Sequence, residues 1–257
     1  MRRSFIGSLW AVGMTTLFTS GPAFAQQRPD FSGIWLVTRS AGGGRGDVGR
    51  PESEWSTEKL PFTAKGRDTF LANKPGKGPR MVAPVNGNDP IGGANPPGLY
   101  RALIYARSFE FVQSQMKLVQ LFEWGRIFRE IYADGRPVPD DIPDGPYWYG
   151  YSVGKWEGDT LVVETLALEN RAWLDEWGTP ISDQARVQER WRKTAADRLE
   201  LRITVTDPVM YEKPWTSMPI VFGLQKKGEL KEIIFAPMDE QEFNNRIRNP
   251  AGTTPKR

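Results

Sequence analysis

The sequence contains no histidine and no cysteine, and these two absences remove whole classes of chemistry. Ser-His-Asp and Cys-His nucleophilic catalysis, zinc sites of the usual His/Cys kind and haem held by His or Cys are excluded. Any acid, base or nucleophile must be Asp, Glu, Tyr, Lys, Ser or Thr, and a metal would have to sit on oxygen ligands; neither a metal nor a cofactor is expected. Disulfides are excluded too, so an exported chain of this length must hold itself together by core packing. A basic block is also missing. Lys and Arg are spread along the chain, which leaves no nucleic-acid footprint.

The first 25 residues read as a cleavable export signal. Arg2 and Arg3 supply the positive start, Phe5 to Phe18 a short apolar stretch, and Ala23-Phe24-Ala25 a small-x-small cleavage site. That stretch is shorter than the ~20 apolar residues of a membrane helix. Arg2-Arg3-Ser4-Phe5-Ile6 also resembles a twin-arginine signal, and a periplasmic or secreted location is expected. Removing Arg2 and Arg3 takes the 34 basic residues to 32 against 31 acidic, so the mature chain is close to neutral.

The mature chain is rich in short strand patterns. Residues 26–106 are expected to give one strand (Asp30 to Val37), a short helix from the N-cap Thr63 through Ala72, and Pro/Gly-rich loops packed on a main domain. Residues 107–249 carry the main body, and 250–257 a tail. Strands are predicted at Phe109–Val112, Met116–Trp124, Arg126–Ala133, the hairpin Tyr147–Leu168 turning at Glu157-Gly158-Asp159, Gln184–Lys193, Leu199–Thr206, Ile220–Gln225 and Leu230–Phe235. Helical segments are predicted at Glu169–Trp177 and Asp239–Arg248. The clearest strand is Leu199–Thr206, where Leu199, Leu201, Ile203 and Val205 alternate with polar residues. Nine or ten mostly hairpin-linked strands point to a mainly β, antiparallel barrel or sandwich in a single domain, and their meander rhythm favours an up-and-down barrel.

Alternation also places charges among apolar neighbours. With a turn at Trp124-Gly125, Gln120 faces Arg129 and Leu118 faces Ile131, so Arg129 and Gln120 sit on an apolar face. Glu164 shares a parity with Val162, Leu166 and Leu168, and Glu189 lies between Val187 and Trp191. A buried charge needs a partner or a function. Arg129, Glu164 and Glu189 therefore form either an ion-pair plug or a site in which a desolvated carboxylate acts as acid or base and Arg129 holds an anionic group. Tyr132 and Asp134, at a strand end, are a second acid/base pair. Trp148, Tyr149, Tyr151 and Trp156, with Trp173, Trp177 and Trp215, are either core or a wall on which a flat ligand stacks. Gly42-Gly43-Gly44-Arg45-Gly46 lacks the Lys-Ser/Thr of a phosphate loop and reads as linker.

Gly33-x-Trp35 resembles the first strand of lipocalin-like barrels. The run Trp156-Glu157-Gly158-Asp159-Thr160-Leu161-Val162-Val163 carries a wider likeness, read with Ile131 to Arg136, Glu189-Arg190-Trp191, Asp207-Pro208 and Pro214-Trp215. With these residues the chain, from Asp30 to about Asn249, resembles a large family of exported bacterial proteins of unassigned function. Members of that family often carry His near Tyr151 and Ile181 and Cys near Asn95 and Phe235; none is present here. The expected function is uptake of a small apolar or aromatic molecule in an aromatic-lined barrel. The alternatives are a cofactor-independent lyase, isomerase or decarboxylase acting on an aromatic or terpenoid-like metabolite, and a structural envelope protein.

Overall fold

The computed structural model describes residues 28–38, 52–83, 86–93, 95–105, 107–142 and 144–233. Within them lie ten strands and two α-helices: β1 (Gly33–Thr38), α1 (Ala64–Ala72), α2 (Leu99–Ile104), β2 (Phe109–Gln113), β3 (Lys117–Phe122), β4 (Phe128–Tyr132), β5 (Tyr151–Glu157), β6 (Thr160–Leu166), β7 (Arg186–Ala195), β8 (Arg198–Thr206), β9 (Trp215–Thr216) and β10 (Ile220–Leu224). The export signal, the glycine-rich run at 42–46 and the Asp239–Arg248 segment lie outside the described residues. No helix among those described is long and apolar enough to cross a membrane.

The strands run β10-β1-β2-β3-β4-β5-β6-β7-β8, and β8 pairs back onto β10 through Leu201↔Ile220 and Leu199↔Phe222, so the sheet closes into a barrel. The two-residue β9 extends the far half of the same edge of β8. The barrel is mainly β as expected, with one departure from the antiparallel pattern: β4 and β5 are parallel, Ile131 opposite Ser152 and Tyr132 opposite Val153. The long connection between them carries the chain back to the starting end before β5 begins, as a parallel pair requires. β1 is itself a stave, pairing with both β2 and β10.

Local chemistry sets the turns and caps. Gly158, with φ of 63°, takes the first position of the two-residue β5–β6 turn, a backbone shape that costs a glycine little. Thr63 caps α1, its hydroxyl oxygen accepting from the Gly66 amide at 2.9 Å. At Gly66 the helix comes so close to the 210 loop that an added Cβ would lie 1.9 Å from the Met210 carbonyl oxygen. Two expected elements do not form among the described residues. Residues 169–177 form turns: the Trp177 amide donates to the Asp175 carboxylate, and the Leu174 and Trp177 carbonyls accept from Trp55 Nε1 and Arg80 Nη2. Leu230–Ile233 contribute only an isolated pairing of Ile233 with Trp124.

Leu199, Leu201, Ile203 and Val205 of β8 are fully buried, each contributing on the order of 1.5–3 kcal/mol by transfer from water. Phe109, Phe111, Trp191 and Phe222 meet edge to face or tilted, with centroids 5.2–6.1 Å apart. One end of the barrel is closed by Phe31, which lies against Trp156 and accepts the Trp35 indole N–H at its carbonyl. The other is capped by α2, with Leu99, Tyr100 and Leu103 buried in the common core, and by the segments around Trp55 and Leu174.

Candidate functional site

The interior parity of five neighbouring strands brings Gln120 (β3), Arg129 (β4), Ser152 (β5), Thr165 (β6) and Glu189 (β7) together in one layer. Gln120 stands opposite Arg129, and Ser152 opposite Thr165, as the register requires. The guanidinium grips Glu189 with two bonds, Nη2 to Oε1 at 2.7 Å and Nη1 to Oε2 at 3.0 Å. Arg129 Nε and Nη2 also donate to Ser152 Oγ, Nη2 to Thr165 Oγ1 at 2.7 Å, and Nη1 to Gln120 Oε1 at 3.5 Å. Glu189 additionally accepts from Trp191 Nε1 at 2.8 Å, Thr165 Oγ1 at 3.1 Å and Tyr100 Oη at 3.1 Å. Burial in this layer, beside the Glu189 carboxylate, pushes the Tyr100 phenol well above its ordinary pKa.

Arg129 and Glu189 are thus each other's partner, and both are saturated by the protein. Gln120, Thr165 and Glu189 have zero accessible surface, so no water-sized void touches them. One polar atom of the layer is left over: Gln120 Nε2 is buried without a hydrogen-bond partner.

Glu164 is not in this layer. On β6 the fully buried, inward residues are Leu161, Val163 and Thr165; Glu164 takes the opposite parity and accepts from Gln188 Nε2 at 2.7 Å on the outer wall. The expectation that it faces the bore is corrected. Val162 and Leu166 on that outer face are also buried, so apolar neighbours did not distinguish the faces of this strand. Tyr132 and Asp134 likewise lie outside the bore. Arg136 stacks over the Tyr132 ring at 3.8 Å, donates to both Asp134 oxygens and reaches the Tyr151 hydroxyl at 2.9 Å. The Arg136 hydrogen bonds hold Asp134 below its ordinary pKa, whereas the Glu130 carboxylate, bonded to the Tyr132 hydroxyl, raises that phenol.

The aromatic candidates do not make a single wall. Trp156 packs on Phe31 at one end of the barrel. Trp148, under the Arg171 guanidinium, and Tyr149, against Phe122, belong to the capped end. Tyr149 Oη and Trp215 Nε1 are buried without partners, and burial raises the Tyr149 phenol. Trp215 meets Tyr211 edge on, Trp177 lies against Gly78, and Tyr151 stacks on Tyr132. Trp173 is buried, with the Arg101 guanidinium 5.7 Å away.

Two further features lie beside the capped end. The first is a junction of loops around Asp175. Its carboxylate accepts from Ser53 Oγ, the Glu54, Trp177 and Thr179 amides and Thr179 Oγ1 at 2.7–3.0 Å. Beside it, burial and then the Asp175 charge raise Glu54 to a pKa of about 8. The second is a cleft of about 300 Å³ lined by Thr69, Asn73, Asn88, Pro90, Asn95, Asn170, Arg171, Trp173 and Pro180. It joins the end of α1 to the turn at Pro90–Gly93 and the 168–180 loop. Of its lining, only Trp173 was a sequence candidate. The Pro- and Asn-rich run from Asn73 to Gly98 was the available signal, since such long loops drape over sites. No protein-family model matches the chain, and no curated protein matches it.

Proposed function

We propose that this is an exported small-molecule-binding protein whose ligand occupies the cleft at the capped end of the barrel, with an apolar face of the ligand toward Trp173. The observation that carries the reading is the contrast between bore and cleft. The bore is filled by its own side chains, and Arg129 has no donor left for a ligand. The cleft, at about 300 Å³, lies at the lower end of the roughly 300–1,000 Å³ of small-molecule sites and combines one indole with several polar groups. The barrel supplies a rigid platform, and the loops that cover its end supply the recognition groups, a common division of labour. The export reading rests on residues 1–25, and kinship with the exported bacterial family on the Trp156–Val163 run.

Thermal-shift screening followed by native mass spectrometry against aromatic, terpenoid and polar metabolites tests this. A ligand whose shift disappears in Asn170→Ala/Arg171→Ala supports the cleft. A ligand that binds this double variant as tightly as the parent overturns it. Turnover of a hit would move the protein to the lyase or isomerase class.

A further inference from the structure

Resting on the reading of the cleft as the ligand site, we infer that its ligand is a neutral polyhydroxylated ring, a sugar or cyclitol, and neither an ion nor a purely apolar molecule. Four carboxamides, Asn73, Asn88, Asn95 and Asn170, stand around one cleft. A carboxamide carries two donors and an acceptor with two lone pairs, the complement of a hydroxyl that both gives and takes. Three of the four are set in place by the backbone. Asn73 Nδ2 donates to the Gly178 carbonyl at 2.9 Å and Asn95 Nδ2 to the Pro90 carbonyl at 3.1 Å. Asn88 bridges the Ala72 carbonyl and the Lys74 amide at 3.0 and 2.7 Å. Groups held in this way lose little freedom when a ligand arrives.

The charge balance favours a neutral ligand. The single charged residue lining the cleft is Arg171, and its guanidinium is committed to Glu169 at 2.8 Å while lying 4.9 Å from the Trp148 ring. An ammonium entering would find no carboxylate in the lining, and a carboxylate would have to share Arg171 with Glu169, which already holds its Nη2. A wholly apolar molecule would leave the remaining donors and acceptors of Asn73, Asn95 and Asn170 without water. A pyranose or inositol ring avoids both costs, setting its C–H face toward Trp173 and its hydroxyls toward Asn73, Asn95 and Asn170.

The test is titration of the full exported chain with methyl glycosides of glucose, galactose, mannose and xylose, and with inositol. Saturation-transfer NMR and calorimetry read the binding, and a naphthoate and a quaternary ammonium serve as comparison probes. We expect at least one polyol to bind with an affinity unmoved by added salt. Asn170→Ala should weaken it by about tenfold, the loss of one well-placed hydrogen bond; Asn170 is exposed at the cleft rim, so this variant keeps the fold. If no polyol binds but the naphthoate or the ammonium does, and Asn170→Ala abolishes that binding, the ligand class is wrong while the cleft stands. If probes bind equally well to the parent and to Asn170→Ala/Arg171→Ala, the cleft reading itself fails.

Discussion

Arg129 and Glu189 face each other at 2.7 Å, with side-chain exposures of 1% and 0%. A pair so placed is costly to half-remove, because the remaining charge stays buried without its partner. Arg129→Met or Glu189→Leu alone should cost about 3–5 kcal/mol in urea unfolding. Replacing both together should cost clearly less than the sum of the two. Additive single-variant losses would show that the two charges do not support one another.

Glu164 offers the matched control. It lies on the outer wall with Gln188 as its partner, and Glu164→Gln keeps the size and hydrogen-bonding capacity of the side chain. Unfolding free energy should change by less than about 0.5 kcal/mol, against the large loss at Glu189. A loss comparable to that of Glu189→Leu would place Glu164 in the bore after all.

A pH dependence should arise from Glu54, whose pKa rises from 4.5 to about 8 on folding. Burial and the neighbouring Asp175 and Glu176 charges favour its protonated form, opposed by the Glu176 amide and by Arg101. Between these two values the unfolded chain has released a proton that the folded chain still holds, so stability declines as pH rises through the window. Glu54→Gln should flatten this decline and leave the variant more stable than the parent above pH 8, on chemical unfolding at a series of pH values. An unchanged slope would remove Glu54 as its source.

Gly66 reports on how α1 docks. Alanine in an open helix gains about 0.5–1 kcal/mol over glycine. Here the added Cβ meets the Met210 backbone oxygen, and overpacking of this kind typically costs about 1–3 kcal/mol. Gly66→Ala should therefore lower the thermal midpoint, and a rise would mean that the helix sits further from the 210 loop.

Much of the barrel was legible because its strands alternate cleanly. β8 matched its pattern within one residue, and the Trp124-Gly125 turn placed Gln120 opposite Arg129 and Leu118 opposite Ile131. The inward charges were found for the same reason at Arg129 and Glu189. Alternation misled at Glu164, where β6 is apolar and buried on both sides and period two carries no direction. It could not anticipate the parallel β4–β5 pairing either, since a proline-broken connection does not reveal which way the next strand runs. The cap and cleft were hidden more deeply. Ser53, Asp175, Asn88 and Asn170 sit in irregular chain, and contacts distant in sequence, such as Ser53 with Asp175 across more than a hundred residues, help to fix the shape of those loops.

The pairing of β1 with β10, Trp35 against Leu224, is the seam where the barrel is sewn shut. Every other stave from β2 to β8 can zip onto its predecessor as the chain lengthens, but this seam joins segments from opposite ends of the described chain. The finished cylinder therefore cannot exist until β10 has emerged from synthesis, and until then β1 and β8 remain open edges exposed to other chains. Linking the two sides of the seam covalently and cutting instead at an exposed turn such as Gly158 would turn this last step into one of the first.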